Sequence, residues 1–513
     1  MPHEMCTFSG SNDGQPSRLW AFVLACSLVD PLAACSSEGA TARPIARDAS
    51  VDSSEPPPTT PPGYDAGLPP IVSVPDGYGS SEPTSCVRLQ CQQTSCAGGA
   101  NTTLSGTVYA PNGTLPLYNV VVYVPNAPLD PLPNGVSCDR CGFVSGAPVV
   151  SALSDYQGRF MLNNVPVGKN IPLVLQVGKW RRQVVVPEVK ACQTNEITDA
   201  NLTRLPRDRT EGEMPRVAVT TGGCDTMSCL IPKLGIDPSE FGVAGQDKAF
   251  VYYGGDHYVD GVPPDDFNYV ASYAGPPHMK TVSTLWSNVA ELKKYDVALL
   301  SCECEEVLAD KGPAAYQALT DYLAAGGRVF GSDLQYVWYQ HTPDAKLKGA
   351  MDVPGGAPTG APPIQIDTSF PKGKALADWM KFLDPSVTYG QFEPSEIYDN
   401  VAAGHAPAAQ VWATSRGFDM QSNPSSVIHP RILTVNTPVG VSAEQQCGRG
   451  VHLDFHALRF YGVIGGTTQK FDFPADCGDT MNNGEKALAF FFFDIASCIQ
   501  DDRVPPEPPP IVR

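Results

Sequence analysis

The sequence predicts a multidomain chain, a small β-sandwich followed by a larger α/β domain on a mainly parallel sheet. Three observations predict it. Residues 100–205 carry short strand patterns separated by turn signals without a helical period. From residue 214 strand-like runs alternate with helix-like ones. Residues 36–85, rich in Pro, Ser, Thr, Gly and Asp, set this folded part off from an N-terminal leader. The length of 513 residues suits two or three domains, and at 42% hydrophobic the chain has the material for real cores. With 35 Lys+Arg against 54 Asp+Glu the formal charge is −19, which excludes a nucleic-acid partner, since phosphate capture needs clustered cations.

The leader is Leu19–Leu28, a short apolar run after Arg18, followed by Leu32-Ala33-Ala34-Cys35. About ten apolar residues are too few to span a bilayer, which takes roughly 20, but suit a signal-peptide core. Leu32–Cys35 resembles a bacterial lipobox, in which the cysteine is acylated and becomes the new N-terminus. The resemblance implies residues 1–35 as signal peptide with lipidation at Cys35, a partner membrane reached through the lipid, and, with Ser36 next, outer-membrane sorting facing the periplasm or the cell surface. Asp30 and Pro31 interrupt the apolar run, so ordinary secretion stays open. Residues 36–85 form a disordered tether, with too little apolar surface to offset ordering entropy. Sixteen cysteines fit an oxidising compartment. Setting aside Cys6, Cys26 and Cys35 leaves thirteen, an odd number, so one thiol is free or bridges chains. Cys86, Cys91, Cys96 and Cys138, Cys141 have spacings that zinc also uses, but disulfides are the expectation in an exported chain.

The segment 86–210 is a Cys-rich lead-in and then the sandwich. Thr107–Tyr109, Val120–Val124, Arg159–Leu162, Leu173–Val177 and Gln183–Val186 are its strands. Gly106-Thr107-Val108, Pro111-Asn112-Gly113, Asp155-Tyr156-Gln157-Gly158-Arg159-Phe160 and Val165-Pro166-Val167-Gly168, in that order, resemble the carboxypeptidase regulatory-like, transthyretin-type domain. That resemblance implies a spacer or binding module without peptidase chemistry. Trp180-Arg181-Arg182 offers a stacking surface for a sugar or partner, or a charge-protected edge strand.

The segment 214–500 is the α/β domain. Arg216–Thr221, Ala249–Tyr253, Asp296–Ser301, Arg328–Phe330 and Val451–Phe455 are its strands. Pro313 opens a helix over 313–325 that Gly326-Gly327 ends. A second amphipathic helix is expected over 284–294 and a buried one, with Phe490–Phe493, over about 484–498. Residues 341–372, extending to about 410, read as an insertion over the sheet edge, and 501–513 as a disordered tail.

Val217–Gly223, Tyr295–Leu300, Ala325–Phe330 and Leu453–His456 resemble the class I glutamine-amidotransferase-like superfamily, ThuA-like proteins included, over about 285 residues. That implies a flavodoxin-like fold and, in working members, a cysteine on a strained turn, a histidine and an acid. The turn here reads Gly331-Ser332-Asp333-Leu334-Gln335, with no cysteine. His456 occupies the histidine's place, and two residues later, where the acid belongs, stands Leu458. Ser332, Asp333 and His456 are therefore the catalytic candidates, of altered chemistry. Cys302 and Cys304 follow a strand beside Glu303, Glu305 and Glu306, carboxylates that disfavour a thiolate; a disulfide with Cys224 or Cys229 is the better expectation. His452, Asp454 and His456 alternate on a strand and share a face, so zinc or another divalent ion is a possible cofactor. The outer two are about 13 Å apart on a straight strand, so one ion needs a bend. His257, after Gly254-Gly255, is a further polar candidate at that edge.

The leading expectation is thus a non-catalytic, outer-membrane-anchored surface lipoprotein serving as a binding or structural module, with a carbohydrate or protein ligand. The alternative is a ThuA-like hydrolase of a carbohydrate or amide, in which His456 lies within about 4 Å of Ser332, Asp333 or a cysteine. A third is a divalent-metal protein.

Overall fold

A computed structural model describes residues 86–511, apart from 139–142, 226, 256–274, 357, 419–422, 458–462, 465–466 and 469–471. The leader, Cys35 and the tether lie outside the described residues, as do Cys141, His257 and Leu458.

The described residues of the N-terminal part form seven strands: β1 (Thr103–Thr107), β2 (Val121–Pro125), β3 (Pro148–Leu153), β4 (Arg159–Asn163), β5 (Gly168–Val177), β6 (Trp180–Val189) and β7 (Thr194–Ile197). They form a three-stranded sheet, β4-β1-β7, and a four-stranded one, β3-β2-β5-β6. The Asp155–Gly158 motif is the turn into β4. The Asp155 carboxylate accepts from the Gln157 and Arg159 amides, and Gly158 sits at φ 74°, where a side chain is strained.

The next strands are β8 (Val217–Thr220), β9 (Phe241–Val243), β10 (Phe250–Gly254), β11 (Lys280–Thr281), β12 (Val297–Leu300) and β13 (Arg328–Ser332). They are followed by β14 (Met351–Asp352), β15 (Gly360–Ile366), β16 (Gln391–Phe392), β17 (Glu396–Ile397) and β18 (Ala403–Gly404). The last ones used here are β19 (Ala409–Phe418), β20 (Pro424–Thr437), β21 (Gly448–Leu453) and β22 (Phe455–His456). An 11-stranded sheet runs β11-β10-β8-β12-β13-β21-β20-β19-β15-β16, with β9 beside β10. Pairings from β11 through β21 are parallel, and those from β20 outward antiparallel. Strands β8, β12 and β13 are buried at every residue, as a parallel sheet covered on both faces requires.

The helix Pro313–Ala324 starts on its proline, and Gly326 at φ 106° follows its end. Asn483–Ala496 carries an Asn482/Glu485 capping box and is buried along Phe490–Phe493. The helix expected over 284–294 is two short ones, Ser283–Trp286 and Val289–Leu292, because the Asn288 side chain accepts from the amides of Ala290 and Glu291 and starts a new helix.

Two further expectations are corrected. Residues 341–410 do not lie over the sheet edge as an insertion, since β15 and β16 extend the main sheet and β17 pairs with β22. The segment 501–511 is not a free tail. Asp502 is buried, 2.8 Å from Arg449 and 3.1 Å from Lys372, and the Pro509 carbonyl accepts from Ser151.

One core cluster crosses the boundary expected near residue 210. It joins Val122, Leu173 and Leu175 to Val219, Val451 and the Phe490–Phe493 helix. Trp180 packs within 6.4 Å of Phe250, Phe492 and Phe493, so Trp180-Arg181-Arg182 is not a stacking surface; Arg181 is buried against Glu213.

Candidate functional site

Strands β12, β13 and β21 are parallel neighbours, with Leu300 opposite Gly331 and Ser332 opposite Leu453. Their carboxyl ends reach one edge, where the connecting turns deliver side chains to a common point. Cys302 comes from the turn after β12, Asp333 from the turn after β13, and His456 from β22, just beyond β21.

Asp333 occupies the elbow with φ 45°, a left-handed conformation that costs a non-glycine residue about 1–3 kcal/mol and persists only where its surroundings impose it. A Cβ on Gly331 would stand 2.9 Å from the Gln335 Cβ. The glycine is therefore what lets the turn close although Gln335 is large.

Asp333 Oδ2 lies 2.9 Å from His456 Nε2 and accepts from Cys302 Sγ at 3.3 Å. Its Oδ1 accepts from Asn400 Nδ2 at 2.7 Å. On the far side of the ring, His456 Nδ1 lies 2.9 Å from Glu396 Oε2, which also accepts from the Tyr398 hydroxyl at 3.0 Å. The Tyr398 ring sits 4.6 Å from the imidazole. The result is an acid–imidazole–acid chain, Asp333–His456–Glu396, with a thiol against its inner end. Cys302, Asp333 and His456 have 0%, 2% and 0% of their surface exposed, so the centre is closed. Clefts of about 380, 430 and 450 Å³ on the described surface are lined by other residues.

Burial, reinforced by the Asp333 carboxylate, pushes the Cys302 thiol up to about 11, so it stays protonated at neutral pH. Burial alone would lower His456, but its bonds to Asp333, Cys302 and Glu396 outweigh that and hold the imidazole well above its ordinary value, as an imidazolium.

Of the sequence candidates, Asp333 and His456 meet. Ser332 ends β13 with a buried Oγ that has no hydrogen-bond partner among the described residues. The set His452, Asp454 and His456 does not converge, because the chain bends at Asp454 and His456 turns to Asp333 and Glu396. His452 Nε2 stays 3.7 Å from Asp454 Oδ1, and neither of its nitrogens finds a hydrogen bond among the described residues. Asp454 instead holds its neighbour in place, accepting from the Asn400 amide at 2.6 Å, Asn400 Nδ2 at 2.8 Å and the Val401 amide at 3.3 Å.

Glu396 and Asn400 were not among the sequence candidates. The acid expected at Leu458 comes instead from β17, whose Glu396 is in register with His456. No local pattern marks it, since the pairing spans 60 residues.

Among the cysteines, Cys224 pairs with Cys304, leaving Cys302 as the free cysteine of the described residues. Cys86–Cys91, Cys96–Cys192, Cys138–Cys447 and Cys229–Cys477 are also disulfides. The bridge Cys224–Cys304 spans the turns beside the site. A Cβ on Gly222 would meet the Cys302 carbonyl oxygen at 2.2 Å, so the backbones approach there as only glycine permits.

No family model matches the chain, and no curated protein matches it. Among solved structures it is similar to a ThuA-like protein from Parabacteroides merdae ATCC 43184, at 12% identity over 58% of this chain and 95% of that one, with a TM-score of 0.30. A ThuA-like protein from Bacteroides uniformis ATCC 8492 shares 12% identity over 55% of this chain and 90% of that one, with a TM-score of 0.26. A type II cohesin–X-dockerin complex from Acetivibrio cellulolyticus shares 16% identity over 20% of this chain and 56% of that one, with a TM-score of 0.13.

Proposed function

We propose that the protein is an exported, outer-membrane-anchored module, lipidated at Cys35, that presents a transthyretin-type sandwich welded to a flavodoxin-like, amidotransferase-like unit for binding or structural work. The closed centre at the sheet edge carries the non-catalytic part of this reading. A nucleophile must meet its substrate, and here the thiol is protonated while both Asp333 oxygens are engaged. The ligand, a carbohydrate or another protein, then meets a surface away from that centre. The test is an assay of the full chain against p-nitrophenyl acetate and a panel of p-nitrophenyl glycosides. No turnover beyond that of Asp333→Asn is expected, and turnover that Asp333→Asn abolishes would overturn the reading. Anchoring is tested by Cys35→Ala, which moves the chain from the membrane to the soluble fraction.

One observation favours a second reading, hydrolysis: the elbow residue, histidine and acid are joined in the order a catalytic triad uses. In that reading Asp333 attacks the substrate carbon, the leaving group takes the Nε2 proton of His456, and neutral His456 then accepts a proton from the water that hydrolyses the Asp333 ester. A covalent adduct on the Asp333 peptide, seen by mass spectrometry after rapid quenching of turnover, would support this reading.

A further inference from the structure

We propose that Cys302, Asp333 and His456 form a divalent-cation site of the zinc type. This goes beyond the binding-module reading and does not depend on it.

The donor atoms Sγ, Oδ and Nε2 all lie within 4.8 Å of one another, and the two measured separations are 3.3 and 2.9 Å. Ligands at about 2.0–2.3 Å from a tetrahedral metal are separated by roughly 3.3–3.7 Å. The two measured separations therefore need to widen by only a few tenths of an ångström, and the third is within 4.8 Å. Thiolate, imidazole and carboxylate together suit zinc better than magnesium or calcium, which take oxygen ligands.

The surrounding groups are those a metal site has. His456 aims Nε2 inward because Glu396 holds Nδ1, the carboxylate–histidine arrangement that fixes a ligating tautomer. Glu396 is held in turn by Tyr398, and the outer oxygen of Asp333 by Asn400. Cys302 and Asp333 follow neighbouring strands of the main sheet, and His456 is fixed by the pairing of β22 with β17, so each ligand has a defined backbone support.

The cysteine pattern points the same way independently. Cys302 lies two residues before the bridged Cys304, and its carbonyl accepts from the amide of Cys224, the partner in that bridge, at 3.3 Å, yet its own Sγ stays reduced and donates to Asp333. Coordination gives a reduced thiol in a disulfide-rich chain a reason to persist. Entry of the ion displaces the Sγ proton and the Nε2 proton, and Glu396 keeps the Nδ1–H. A water or small anion completes the coordination, as no further His, Cys, Asp or Glu among the described residues joins the group.

The experiment uses the full chain, freed of metal by a chelator and titrated with cobalt(II). One cobalt per chain is expected, with a thiolate-to-cobalt charge-transfer band that Cys302→Ser removes and His452→Ala leaves intact. Zinc-edge X-ray absorption on the unaltered protein reads the site without any variant, and one sulfur scatterer beside nitrogen and oxygen is expected. Absence of both the band and the sulfur scatterer would overturn the proposal. So would a band that survives Cys302→Ser and disappears in His452→Ala.

Discussion

Asn400 donates through one nitrogen to two buried carboxylates, those of Asp333 and Asp454, and its amide binds Asp454 as well. Asp454 is also 3.5 Å from Arg431, so the charges here are offset in part by an arginine and in part by amide donors. Removing the donors leaves two buried carboxylates underserved, a loss of about 3 kcal/mol. Asn400→Leu is therefore expected to lower stability by that order in denaturant unfolding, and Asn400→Asp by more, since it sets a third carboxylate beside the two. An unchanged midpoint for Asn400→Asp would mean that the network is not closed. At this scale the sequence announced Asp333 and His456, because a strand, a glycine and a turn precede the first and an alternating strand holds the second. Glu396 and Asn400 sit in a stretch without periodicity, and only the pairing of β17 with β22 gives them their role.

The same contrast separates the elements. Helix Pro313–Ala324 was legible because proline, an apolar stripe and glycine agree on its limits. The C-terminal segment was not, because prolines and few apolar residues describe a linker equally well. What orders it is long-range charge. Asp502 is bound by Arg449 and Lys372, and Asp494 shares the same two cations. Burial would raise the Asp502 carboxyl, but Arg449 and Lys372 outweigh it and hold it below the usual carboxylate range. A carboxyl depressed in the folded state stabilises fully above its unfolded value of about 3.9, and the contribution fades as pH falls from there through the folded value. Stability is thus expected to drop between pH 4 and 2, roughly, with Asp502→Asn showing a smaller acid-induced loss from a lower starting point. Acid unfolding of the two chains checks the sign; parallel curves would contradict it.

At the scale of the molecule, the sequence offers a division into two parts through a change of period near residue 210, but residues 81–513 form one compact unit, and the weld is invisible to that pattern. Trp180 belongs to β6 but packs on Phe250 and the Phe492–Phe493 pair, and Trp379 donates to the Pro116 carbonyl at 2.8 Å. Trp180→Ala should cost about 3–5 kcal/mol and destabilise both parts together. A single shifted transition in calorimetry is expected, where independent domains would give two, one of them unmoved. Disulfides add long-range constraint, Cys229–Cys477 closing a separation of 248 residues and Cys138–Cys447 one of 309.

The central claim is that the centre around Cys302, Asp333 and His456 is closed. It is tested most directly by the rate at which iodoacetamide labels Cys302, followed by mass spectrometry of its peptide, in the native chain with chelator present and in the unfolded chain. Native labelling slower by about 10³ or more is the result expected for a thiol that opens to solvent only through local unfolding. Labelling at the rate of the unfolded chain would mean an open cleft at the sheet edge, and would contradict the account in favour of the hydrolase.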